Sequence, residues 1–297
     1  MKSIILLLAA SLVVFSCKKD EPEDPENNTG EDQPQLIFKV KLDPNQERLN
    51  NFGQPETVPA GHGAQTPVFN EISAHYIELA PNAFTQLGAG EIVYHAPETD
   101  AGGDDAVDFE KASVVGHDEV FYSINLSQVG PGTYEWARVS LTYQNYDVDF
   151  RASGYDMTGT VSSFVGYNTY LKAHKINEET VQIYDNKLQG YWAWETHPNQ
   201  VLQNPIVNEG QSPVTTVPNP LNSTSPIPAG SCVVTGEFPE SLTITGNETE
   251  DIIVDLSFSI NNSFEWDDDL DNNIYEPMDG DIVVDMGIRG LIPIVVQ

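Results

Sequence analysis

Residues 265–281, EWDDDLDNNIYEPMDGD, carry the densest chemistry in the 297-residue chain. Asp267, Asp269 and Asp271 occupy positions 1, 3 and 5 of a calcium-loop pattern, with Asn273 at position 7. Alternating carboxylates in a tight turn can bring several oxygens onto one hard cation, which is what Ca²⁺ requires. Asn272 stands where the pattern has Gly, and Asn tolerates left-handed geometry. Met278 fills position 12, so Glu276 or Asp279 would supply the last oxygen. No helical periodicity flanks the segment, so a bare loop between strands would carry the ion. The alternative is a solvated acidic hairpin. A second acidic stretch, residues 98–109, sets Asp100, Asp104, Asp105 and Asp108 around a Gly pair and reads as a Gly–Asp turn.

The six histidines are His62, His75, His95, His117, His174 and His197, and none makes a His-x-x-x-His pair of the zinc type. His75 shares a strand phase with Ile77 and Leu79 and reads as a sheet histidine. His62, between two glycines, reads as a loop residue. In GYWAWETH, residues 190–197, Trp192 and Trp194 share a strand face. Exposed, that face is an aromatic platform for sugar rings or a protein partner; buried, it is core. The chain has no Gly-x-Ser-x-Gly, P-loop, Gly-x-Gly-x-x-Gly or His-Glu-x-x-His, so no catalytic residue is assigned. Its 45 Asp+Glu against 13 Lys+Arg give a net charge of −32. That excludes a nucleic-acid partner and disfavours anionic headgroups, both of which need clustered cations.

The elements that would position these groups are strands. Leu36–Leu42, the stretches around His75, Tyr122 and Val139, and Ile252–Ile260 and Ile282–Ile288 all alternate at period two. Many such strands with turn residues between them predict an all-β, antiparallel β-sandwich or jelly-roll-like domain over 36–297. Only one or two helical turns are expected, at 44–51 and 81–87. Residues 204–230 hold six prolines and read as a long surface loop or a join between sub-domains. No internal repeat is present.

The N-terminus reads as an address. Lys2 precedes an apolar run from Ile4 to Phe15, about half the roughly 20 residues that span a bilayer, so residues 1–16 read as a signal peptide. Val14-Phe15-Ser16-Cys17 resembles a bacterial lipobox, which implies cleavage before Cys17 and a diacylglycerol on its thiol. Residues 17–35 form an acidic, Pro-bearing tether. Its Lys-Lys-acidic start resembles a Gram-negative surface-export signal or is a generic linker. The former implies an outer-membrane protein exposed at the cell surface. With Cys17 acylated, Cys232 is alone and reads as a small buried hydrophobe.

FNEISAHYIEL, AVDF, FYSINLSQVGPGTYEWARVSLTYQNYDV and QGYWAWETH, in that order between Phe69 and His197, resemble the MbnP-like family of periplasmic and surface β-sandwich proteins. Some members bind copper through His with a modified Trp. The resemblance implies His75, Trp194 and His197 as copper candidates. The expected function is therefore a lipid-anchored cell-envelope protein that binds a metal, glycan or protein, with calcium in the acidic loop. The alternative is an extracellular enzyme acting on a polymer with acids of that loop. Two acids and an aromatic converging in one cleft would favour the enzyme.

Overall fold

The computed structural model describes residues 33–50, 52–212, 228 and 230–296. The signal segment 1–16, Cys17 and the tether to Asp32, and 213–227 and 229 of the Pro-rich stretch lie outside the described residues. In chain order the strands are β1 (Gln35–Asp43), β2 (His62–Gln65), β3 (Val68–Ala80), β4 (Glu91–His95), β5 (Glu98–Thr99), β6 (Ala106–Asp108) and β7 (Val114–Val115). There follow β8 (Val120–Asn125), β9 (Gly132–Ala152), β10 (Tyr155–Phe164), β11 (Thr169–Lys175), β12 (Thr180–Lys187) and β13 (Tyr191–Thr196). The last are β14 (Ile206–Gln211), β15 (Cys232–Ile244), β16 (Ile252–Ser259), β17 (Phe264–Asp267), β18 (Ile282–Met286) and β19 (Leu291–Val296).

The all-β sandwich expected from the alternation is the fold observed. One sheet runs β19–β16–β1–β8, the other β14–β13–β10–β9–β3–β4, with β15 also paired to β9 and β7 to β3. The 21-residue β9 is the spine: β15 takes its first half and β10 its second. Two small sheets, β12–β11–β6–β5 and β18–β17–β2, complete the body. Pairing is mostly antiparallel, but β1 with β16 and β6 with β11 run parallel. Local alternation cannot show this, because parallel partners need a long crossover.

Leu36, Phe38, Val40 and Leu42 of β1 and Val254, Leu256 and Phe258 of β16 pack with Ile77, Leu79, Val139, Leu141 and Val234 in the main core. Each such side chain stabilises the fold by about 1.5–3 kcal/mol on burial. Half-buried strands were expected, yet β3 from Ile72 and β9 from Ala137 to Tyr146 are buried on both faces. Tyr143 packs with Phe164, Leu171 and Tyr191 on one side of β9. Tyr146 and Val148 pack with Phe264 and Trp266 on the other. The small sheets thus supply a second cover.

Three local expectations change. At 44–50 and 81–87 there are bends and turns, not helices: Asp43 Oδ1 accepts the Asn45 N–H at 2.8 Å and Asn82 Oδ1 the Phe84 N–H at 2.9 Å. Such Asx contacts compete with a helical turn. The helical element among the described residues is the 3₁₀ turn Leu126–Gln128. Part of the Pro-rich stretch, β14, is an edge strand on β13, which is allowed because Pro205 precedes it and no Pro interrupts it. The acidic segment is the turn of the β17–β18 hairpin, and Ile282, expected on an apolar face, is 65% exposed.

Candidate metal centre

β3 lies antiparallel to β4 with Tyr76 opposite His95. Beyond β4 the chain stays on β3, where the Ala96 N–H donates to the His75 carbonyl at 2.6 Å. Pro97 then leads into β5, which opens with Glu98. One ligand-type atom from each of His75, His95 and Glu98 consequently lies within 4.8 Å of the other two. His75 Nε2 is 2.9 Å from Glu98 Oε1, and His95 Nε2 is 3.9 Å from the same oxygen. The two imidazoles meet edge-on with centroids 4.7 Å apart, and Tyr167 stacks on His75 at 5.3 Å and 10°.

Burial sets the chemistry. The His75 side chain is 0% exposed, those of His95 and Glu98 are 49% and 37%. The cluster therefore reaches from the sheet interior to solvent. Burial pushes the His75 imidazole below its ordinary value; the Glu98 hydrogen bond opposes this and His95 adds to it. A neutral imidazole is the form that coordinates a metal. His75 Nδ1 is buried without a partner among the described residues. His95 Nδ1–H can donate to the Ala96 carbonyl at 3.0 Å, which turns Nε2 outward as a lone-pair donor. The Tyr167 hydroxyl is held above its ordinary value by burial and then by the charges of Glu98, Asp105 and Asp104. The surroundings are thus acidic.

Bonds of about 2.0–2.2 Å in a tetrahedral shell separate ligand atoms by roughly 3.4 Å. The observed 2.9 and 3.9 Å bracket that spacing. Two imidazoles and one carboxylate suit a borderline ion such as Zn²⁺ or Cu²⁺ better than an oxygen-seeking Ca²⁺.

The residues singled out in the sequence are placed as follows. In the acidic loop Asp281 and Glu276 are buried and Asp268 half-buried. Asp268 accepts the N–H groups of Asn272 and Asn273 at 3.2 and 2.6 Å, and Asp281 those of Asp269 and Glu276 at 3.0 and 2.6 Å. Asp267 Oδ1 faces His62 Nε2 at 3.1 Å, Asn273 Oδ1 accepts the Ala64 N–H, and Glu276 accepts from Asn272 Nδ2. Asp267, Asp269, Asp271, Glu276 and Asp279 do not form a ligand group of the kind seen at His75. The left-handed residues are Asp271 and Asn273, not Asn272. His62 is no loop residue: it sits in β2 and joins Asp267 to the buried Glu265, 2.5 Å from its Nδ1. Burial alone would raise the Glu265 carboxyl. Hydrogen bonds from His62 and Arg48 and the charges of Arg48 and Arg289 overcome it and hold the group below its ordinary value.

Of the copper candidates, His75 is in the cluster. His197 lies elsewhere, with Nε2 2.7 Å from Thr160 Oγ1, beside Asp147. His75 faces the Ser140–Leu141 stretch of β9, so Asp147 is roughly 20 Å farther along that strand. Trp194 lies against Gly159, meets Phe150 edge-on at 5.1 Å and donates to Thr196 Oγ1 at 2.7 Å. Trp192 lies against Gly210, and both indoles are half-buried. His95 and Glu98 went unpaired in the sequence, although His-Ala-Pro-Glu carried the signal: a His-x-x-Glu spacing across a Pro turn at a strand end.

Comparison of the chain with protein-family models, with curated proteins and with solved structures finds no match in any of the three.

Proposed function

We propose that this chain is a lipid-anchored, cell-envelope β-sandwich protein that binds a divalent transition-metal ion through His75, His95 and Glu98. The convergence of these three ligand atoms within 4.8 Å carries the reading. Cys17 would hold the chain to the outer membrane, and the acidic tether would set the domain off from the lipid. His75 supplies a fixed donor from inside the sheet, while His95 and Glu98 can close on the ion from the solvent side. The ion's remaining position would exchange freely, which suits capture and hand-over rather than a structural site.

The test is calorimetric titration of the chelator-treated, full-length chain with Zn²⁺ and with Cu²⁺. One ion per chain is expected, and millimolar Ca²⁺ should not compete. His95→Gln and Glu98→Gln remove exposed ligands without touching the core, and each should weaken binding at least ~10-fold. Absence of saturable binding, or equal binding by both variants and the parent, would refute the centre.

A further inference from the structure

At the far end of β9, about 30 Å along the strand from the metal centre, a groove of about 500 Å³ opens between two walls. One wall is the β9–β10 hairpin at residues 149–151 and 156–158; the other is Gln65, Trp266 and residues 273–275. The volume falls in the range of small-ligand clefts, roughly 300–1,000 Å³. The walls are braced against each other. Gln65 both donates to the Asp149 carbonyl at 2.8 Å and accepts the Asp149 N–H at 2.9 Å. The Arg151 N–H donates to the Tyr275 carbonyl at 2.8 Å. The groove is therefore preformed, which lowers the ordering cost of a ligand.

Its chemistry is half apolar and half planar-polar. Met157, Ile274 and Tyr275 keep exposed surface in the walls, and Phe150 and Trp266 back them. Arg151 uses Nε for Asp156 Oδ1 at 2.7 Å, which leaves both Nη groups without a partner among the described residues. The Asn273 amide N–H₂ is likewise without a partner among the described residues, and the second oxygens of Asp149 and Asp156 remain as acceptors. Paired donors beside carboxylate acceptors, next to an aromatic ring, match vicinal hydroxyls on an apolar sugar face. The net charge of −32 and the two aspartates flanking Arg151 exclude an anionic ligand. Asp149 is tied to Thr158 at 2.8 Å and Asp156 to Arg151, and both are exposed. Neither is enclosed by apolar side chains as a buried catalytic carboxyl would be. We propose that this groove binds a neutral hexose unit of a glycan without cleaving it.

The experiment uses the full-length chain and a panel of neutral trisaccharides: β-1,3- and β-1,4-glucan, xylan, mannan and chitin fragments. Binding is read by aromatic fluorescence and saturation-transfer NMR, with and without chelator. At least one fragment should saturate with a Kd on the order of 0.1 mM, unchanged by chelator. Arg151→Met should weaken it at least ~10-fold and Met157→Ala, which removes an apolar contact from the wall, about 3-fold, with melting temperatures little altered. No saturable fragment, equal affinity in both variants, preference for a uronate or sulfated analogue, or release of shorter sugars would each overturn the proposal. Loss of binding with chelator would place the sugar at the metal centre instead and overturn it as well.

Discussion

His174 sits in a box of rings, with Phe109, Tyr143 and Phe164 edge-on at centroid distances of 5.9, 5.5 and 5.1 Å. Burial pushes its pKa down to about 4. The unfolded chain takes up a proton near pH 6.5 and the folded chain does not. The stability contributed is therefore complete above pH 6.5 and is lost as pH falls towards 4. The size is on the order of 3 kcal/mol. His75, also shifted down, acts in the same direction. Urea melts of the parent and His174→Phe from pH 7 to 4 separate the two: the variant should lose markedly less. At Cys232, burial pushes the thiol up to about 12. On the proposed acylation of Cys17, the native mature protein should show no reactive thiol with Ellman's reagent, and one on unfolding. A reactive native thiol would mean that Cys17 is not acylated.

Single elements are held by carboxylates that the sequence did not mark out. Glu195 of β13 is buried and accepts the N–H groups of Asn177, Glu178 and Glu179 at 3.0–3.1 Å, closing the turn between β11 and β12. Glu195→Ala should cost about 3 kcal/mol. In hydrogen exchange, amides 177–179 should lose protection in that variant, whereas Glu195→Gln should keep part of it. The acidic loop is built on the same principle, with backbone N–H groups donating to Asp268 and Asp281. Chelator should accordingly leave the melting temperature of Asp269→Ala and of the parent in step. What was legible was whatever obeys a local period: the β1 and β16 faces and the all-β class follow from alternation alone. Of the metal-type cluster only His75 was named, through the resemblance and not through its strand phase; His95 and Glu98 reach it through a strand pairing and a Pro turn, and no single-strand pattern contains them. Likewise, nothing local in His62 shows that Glu265 and Asp267 lie across the ladder from it.

For the whole molecule, a net charge of −32 means self-repulsion on compaction, which salt screens. Raising ionic strength from about 0.01 to 0.15 M should raise the melting temperature by a few degrees, since the Debye length falls from roughly 30 to 8 Å. The parallel pairing of β1 with β16 bears on how the fold is reached. Leu36 lies opposite Ile252, 216 positions later in the chain. Made at about 5–20 residues per second, the first strand of the sandwich waits roughly 10–40 s for its central neighbour. Closing so long a loop costs on the order of 5 kcal/mol of chain entropy before any contact forms. Chains ending before Ile252 should therefore stay protease-sensitive, while full-length chains become resistant. A nascent chain that cannot lock its first sheet early stays extended and threadable until nearly the whole polypeptide has been made.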